Sequence, residues 1–191
     1  MEVQVRDLEL IDLLATKLEQ ASAAAGWNYA VIQTSGPTQQ GIPDAPIIMF
    51  QKLFDEPRGW PKSTSVYEPV ADQFTTKSLQ EYQTTFQISA LVIQVPDDLT
   101  LPTASDVANY MYNALHSRST VSAFMKVGVN VMRAPQIGNA YFEDDRSRFE
   151  ARPSFDIILT HSREVGQITP AVHVVEGEEH AGFVGKGTFP V

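Results

Sequence analysis

One stretch constrains this chain more than any other. From Gln80 to Val95 the sequence alternates at period two: Tyr82, Thr84, Phe86, Ile88, Ala90 and Val92 fall on one face, and Gln83, Thr85, Gln87 and Ser89 on the other, which turns apolar at Leu91, Ile93 and Val95. That period belongs to a β-strand. Fully extended, the segment runs roughly 50 Å at about 3.3 Å per residue, whereas strands usually hold about 5–6 residues. A strand this long outruns the sheet that holds it. The segment therefore predicts a hairpin arm whose distal half meets solvent or a neighbour.

The rest of the chain supplies the sheet and its cover. Leu10, Ile11, Leu14, Leu18, Ala21 and Ala25 form one apolar stripe, predicting a helix over Asp7–Ala25 that Asp7 caps and Gly26 closes. Trp27 is expected to pack under its end. Short strands are expected at Tyr29–Gln33 and Ile47–Phe54, joined by a surface loop over Thr34–Pro46. Thr103 and Asp106 form a capping box before a second stripe, Val107, Ala108, Met111, Ala114 and Leu115. His116 falls in that helix's last turn, where a structural role is expected. Two further strands are expected at Val127–Arg133 and Phe155–His161, with a turn or one short strand between Pro135 and Asp145. Pro153 marks an edge, a bulge or a strand start. The element order predicts an α+β fold: a mostly antiparallel or mixed β-sheet, two helices packed on one face, and a protruding β-hairpin arm. The expected division is one α+β domain over residues 1–164 and an extended C-terminal arm over 165–191.

Between Asp55 and Ser78 no period is visible, and Pro57, Gly59, Pro61 and Pro69 interrupt the chain. So long a stretch reads as a functional or partner-ordered loop. It carries Arg58, Trp60, Tyr67 and Phe74, residue types enriched at the energetic centres of protein interfaces. An alternative is that Trp60 folds back and plugs its own domain. Together with the polar side of the long strand, Gln83, Thr85, Gln87 and Ser89, these are the candidate residues for a subunit or partner interface.

Catalytic chemistry is not visible in the sequence. The chain has 191 residues, a formal net charge of −9 and no cysteine. Its length suits one domain. The lack of cysteine excludes disulfides, thiolate metal sites and a cysteine nucleophile. Glu143, Asp144, Asp145 and Glu150 are acidic neighbours without calcium-loop spacing, interleaved with Arg146, Arg148 and Arg152. His116, His161, His173 and His180 show no zinc-site spacing. Residues 182–187, Gly-Phe-Val-Gly-Lys-Gly, follow no clear strand and open no helix, and no phosphate loop or nucleophile elbow is present. The expectation is a non-enzyme with no cofactor and no metal. The start of the chain shows no signal-peptide pattern, and no apolar run approaches the about 20 residues of a membrane helix, so a soluble protein made in a cytoplasm, with no membrane partner, is expected.

Several segments, taken in order, resemble the neck and tail terminator proteins of contractile-tailed bacteriophages. They are Phe50-Gln51-Lys52-Leu53, Arg58-Gly59-Trp60-Pro61, Thr85 to Leu91, Leu101 to Val107, and Phe149 to Asp156. The resemblance spans the first helix to about His161. It implies a structural virion protein at the neck, assembled in the host cytoplasm. It further implies a homohexameric ring that caps the tail tube, ends tube polymerisation with the tail sheath as a further candidate partner, and joins tail to head through connector or adaptor proteins. DNA would pass through the lumen without specific binding. No catalytic residue comes with it. Two alternatives stay open: a head-closure or stopper ring in the same neck, and, more distantly, a nucleic-acid-processing enzyme with an acidic metal site. Within a ring, the excess of acid suits a channel that DNA crosses without sticking, with Glu143, Asp144 and Asp145 as candidate lining residues.

Overall fold

From Gln80 to Leu91 the alternating segment is part of a longer three-stranded ladder, and its end, Ile93 to Val95, lies outside the described residues. The computed structural model describes residues 6–34, 45–92, 100–132, 136–143 and 149–170. In chain order its elements are α1 (Asp7–Ala24), β1 (Ala30–Gln33), β2 (Ile47–Glu68), β3 (Gln73–Leu91), α2 (Ala104–Leu115), α3 (Arg118–Lys126), β4 (Asn130–Met132), β5 (Ile137–Glu143) and β6 (Phe149–Pro170). One sheet runs in the order β1-β2-β3-β6-β4, with β5 also paired to β6. Only β1–β2 is parallel. The sheet is mixed and the fold α+β.

Register puts one face of the sheet under the helices. Phe50, Ile88 and Phe155 lie in one row, Phe86 and Ile157 in another, and Ile48 sits beside Ala90. All are buried, and they pack with Leu10, Leu14 and Leu18 of α1, Val107, Met111 and Leu115 of α2, and Phe124 of α3. Non-polar area withdrawn from water at about 25 cal/mol per Å² drives this layer together. Capping fixes the helix starts. Thr103 Oγ1 accepts from the Asp106 amide at 3.1 Å, and Asp106 Oδ2 accepts from the Thr103 amide at 2.9 Å. That bond and the Thr103 hydroxyl hold the Asp106 carboxyl below the usual range. Trp27 is half-buried, stacked on Tyr29 and edge-on to Tyr110. His116 caps α2, its Nδ1 2.8 Å from the Tyr112 carbonyl.

Several expectations need correction. The arm exists, but its residues differ from those expected. The half of β3 from Thr84 to Leu91 is the core half, and the projecting half is Gln73–Tyr82. The stretch Asp55–Ser78 is no loop: it is the outer part of β2, a four-residue turn and the start of β3. Pro57 and Pro61 are tolerated because β2 is an edge strand there, where an N–H facing away from β3 has no ladder bond to lose, and Pro69 lies in the turn. α3, capped by Ser117 Oγ on the Thr120 amide, joins the two expected helices. It displaces the start of the strand expected at Val127, leaving only Asn130–Met132 as β4. Asp7 does not cap α1. Glu9 does, its carboxylate accepting from the Arg6 amide at 2.9 Å, while Asp7 turns towards the sheet. β6 continues through the expected boundary at residues 164 and 165 to Pro170. The remainder of the expected C-terminal arm, and most of the Thr34–Pro46 loop, lie outside the described residues. Pro153 pairs with Asn139 of β5, one residue past the last β3–β6 pair at Ser154, which is an edge position on its other side.

Candidate functional site

Beyond the helix layer, β2, β3 and β6 continue as a three-stranded arm. Its rows run from Pro57, Tyr82 and His161 at the root to Glu68, Gln73 and Pro170 at the tip. The thirteen residues Glu56–Glu68 span about 40 Å at about 3.3 Å per residue, less what a bulge takes up. Among the described residues, no helix covers either face of this arm. The helix-side face carries hydroxyls in register, Ser63 with Ser78 at 2.7 Å and Ser65 with Thr76 at 2.8 Å, and ends in the ring pair Tyr67–Phe74. The other face carries Lys62, Thr64, Val66, Lys77, Glu164 and Ile168, with Lys77 and Glu164 paired at 3.0 Å. Cross-strand pairs of these kinds stabilise a ribbon that has no core of its own.

Two irregularities shape β2. Leu53 is an extra residue between the pairs Lys52–Phe86 and Phe54–Thr85. Gly59, Trp60 and Pro61 together face Gln80, since the pairing jumps from Arg58–Glu81 to Lys62–Leu79. Gly59 takes φ +64°, a conformation glycine adopts without strain. The Gln80 amide donates to the Arg58 carbonyl at 2.6 Å and stitches the bulge to β3. Trp60 is thrown outward and is 95% exposed, so it does not plug its own domain. At the tip Val70 is fully exposed, Asp72 takes φ +49°, and Tyr67 Oη donates to Asp72 Oδ1 at 2.8 Å. That bond, with a little burial, raises the Tyr67 phenol above its ordinary value.

The arm is anchored at its root by a polar cluster drawn from four elements. Lys52 Nζ of β2 donates to Asp7 of α1 at 2.9 Å and to Asp55 at 2.7 Å. Arg163 of β6 also pairs with Asp7 and reaches Asp55 at 3.4 Å, its guanidinium lying over the Tyr82 ring. Thr84 Oγ1 donates to Asp55 Oδ1 at 2.6 Å and lies 2.9 Å from His161 Nε2. A hydroxyl has one proton. With that proton on Asp55, the His161 contact requires the imidazole to donate from Nε2, leaving Nδ1 the bare, buried nitrogen without a partner. Burial, and then Arg163, push the His161 imidazole below its ordinary value, which keeps it neutral. Burial works against ionised Asp55, yet hydrogen bonds from Lys52 and Thr84 outweigh it and hold the carboxyl down. Burial likewise opposes Lys52, and its two carboxylate partners raise it overall.

The expected interface residues separate into two places. Arg58, Trp60, Tyr67 and Phe74 lie together along the arm. Gln83, Thr85, Gln87 and Ser89 lie on the helix-free face of the main sheet. Thr85 and Ser89 are buried there. Gln87 accepts from Gln51 at 3.0 Å and donates to Asp156 at 3.4 Å, and Gln83 accepts from Arg58 at 2.6 Å. Of the expected channel residues, Glu143 ends β5, while Asp144 and Asp145 lie outside the described residues. Sequence reasoning missed Val66, Val70, Val165 and Ile168, all exposed on the arm. Single valines and isoleucines among polar residues carry no period that would single them out. It also missed the root cluster, whose members are up to 156 positions apart in sequence. Among the described residues no group of three or more His, Asp or Glu side chains is placed to hold a metal ion, and no helix is long and apolar enough to cross a membrane.

No curated protein sequence matches the chain. Among solved structures, the chain is similar in fold to the sheath/tube terminator of the PVC extracellular contractile injection system in its extended state. The TM-score is 0.55 at 12% identity, over 97% of this chain and 66% of that one. The chain thus spans just under two thirds of the length of that terminator. The model of the E217 gateway protein gp29 family matches residues 9–171, which takes in the whole arm and every helix but the first two residues of α1. Both findings agree with the neck and tail terminator resemblance of the sequence segments. The chain belongs to the E217 gateway protein gp29 family.

Proposed function

We propose that this chain is a structural virion protein of the phage neck. It forms a homohexameric ring on the tail tube, ends tube growth, and joins the tail to the connector proteins around the DNA channel. The observation that carries this reading is the three-stranded arm, which among the described residues has no helix cover on either face and bears Trp60 almost fully exposed. A small domain that maintains such an arm as a monomer exposes apolar and backbone groups without compensation. Identical subunits arranged head to tail about a closed rotation cover them. The tail sheath is a further partner, in keeping with the sheath/tube terminator that shares the fold. Termination follows when the ring's far face lacks the surface that the next tube ring needs.

The test is tube growth in vitro. Purified chain added to assembling tube protein should shorten the tubes and appear as a cap at one end. Tubes of unchanged length, with the chain bound only to connector protein, would instead identify a head-closure ring.

A further inference from the structure

The arm has two long free edges, and they match each other. β1 pairs with β2 only over Ile47–Phe50, and β4 reaches β6 only as far as Thr160. Among the described residues, no strand pairs with β2 beyond Phe50 on its outer side, or with β6 from His161 to Pro170 on its outer side. Monomeric proteins blunt such edges with proline, bulges or charge. β2 does so at Pro57, the Trp60 bulge and Pro61, but between Lys62 and Glu68 it has no proline, no bulge and no charged residue other than those two ends. β6 has neither proline nor bulge from His161 to Thr169, and its charges there are confined to Arg163, which turns in to the root cluster, and Glu164, which pairs with Lys77.

Direction decides what can cover them. β2 and β6 each run antiparallel to β3, so they are parallel to one another. In copies related by rotation about an axis along the arm, the β6 edge of one copy meets the β2 edge of the next in parallel register. The same operation repeated leaves no edge open. Val66 (58% exposed) and Ile168 (66% exposed) lie in one row of the ladder and on the same face. Across the joint they become neighbours and lose that exposure to water. A segment of the same chain covers one edge and leaves the other bare; a second copy covers both.

We propose that the arm is the subunit contact of the ring: the β6 edge, residues 161–169, of one copy adds to the β2 edge, residues 62–68, of the next. This deepens the ring reading above and rests on it. Strand addition of this kind draws affinity from backbone hydrogen bonds and selectivity from alternate side chains.

The chain has no cysteine, so disulfide trapping is free of background. Within one copy, Val66 and Ile168 are two strand spacings apart, roughly 9.6 Å, beyond the about 7 Å that a disulfide spans between Cα atoms. Any bond between these positions is therefore intermolecular. Val66→Cys is combined in turn with Glu164→Cys, Gly166→Cys and Ile168→Cys, which step the register by two residues on one face. A Cβ at Gly166 meets nothing within 4 Å. The full-length variants are oxidised, and the same samples are sized in solution and imaged.

The expected result is loss of the monomer band into a ladder of cross-linked species in one of the three registers, with none from any of the four single variants. Dimers from Val66→Cys alone or Ile168→Cys alone would overturn the head-to-tail pairing. Ring-sized particles without a ladder in any register would overturn the arm contact and leave the ring standing. Monomers without a ladder would overturn both. A ladder without closed particles would support the edge pairing and overturn the closed ring.

Discussion

Thr84 stands between two elements that the sequence places far apart. Its single proton goes to Asp55 and its oxygen accepts from His161, so one hydroxyl ties β2 to β6 across β3. Thr84→Val keeps the shape and leaves a buried imidazole N–H and a carboxylate oxygen short of a partner. A loss of about 1–3 kcal/mol is expected, read as a lower urea midpoint. The same cluster sets a pH dependence. An unfolded imidazole titrates near about 6.5, and folded His161 titrates lower. Between those values the unfolded state binds more protons, so stability is intact above about pH 6.5 and falls as acid is added below it. Asp55, also lower in the folded state, adds a second loss as pH falls below about 3.9. Urea midpoints for the native chain should be lower at about pH 5.5 than at about pH 7.5, and His161→Gln should flatten that difference. Trp60 behaves oppositely. Being 95% exposed, its change to Ala should alter stability by less than about 0.5 kcal/mol. If the arm is the assembly surface, the same variant weakens tube capping, a separation that tube length and a melting curve measure together.

At the level of elements, the arm and the core layer make separable demands. Replacing Thr64–Lys77 by Asn-Gly, which joins Ser63 to its partner Ser78 through a two-residue hairpin turn, removes the tip and touches no buried residue. The shortened protein should fold, with the native circular dichroism spectrum, and should fail to cap tubes. Phe86→Ala, in the core half of the same strand, should cost about 3–5 kcal/mol. An outcome in which tip removal also unfolds the protein would show that the arm helps hold the sheet. These elements were unequally legible in the sequence. α1 and α2 were readable because each buries one stripe, and the faces of β3 were readable from Thr84 to Leu91 because only one side meets the helices. The outer half of β2 was not. Both its faces meet solvent, so hydrophobicity has no reason to alternate there, and Pro57, Gly59 and Pro61 imitate a loop while marking an edge. α3 was hidden by its Ser-Thr-Val run, a weak helix former that Phe124 and the Ser117 cap hold in place. The root cluster was unreadable for another reason: residues as distant as Asp7 and Arg163 meet only once the strands are in register.

For the whole molecule, charge becomes a question of assembly. A single chain at −9 has little affinity for phosphates, because such affinity comes from clustered Lys and Arg releasing counterions. In the proposed ring, six copies around a channel multiply that charge, and carboxylates within about 8 Å of passing phosphates are not fully screened. Such a conduit would hold DNA in line without gripping it. Glu143, Asp144 and Asp145 are the residues proposed for that surface, and reversing them to Lys tests the proposal. Assembled rings of the native chain should retain no duplex DNA at about 50 mM salt. Rings of the triple variant should retain it and release it steeply towards about 200 mM. The unassembled variant should bind far more weakly than the ring, because only closure brings the reversed charges from all copies onto one duplex. Equal binding by ring and free chain would place these residues on the outer surface, and the acid excess would then serve solubility rather than passage.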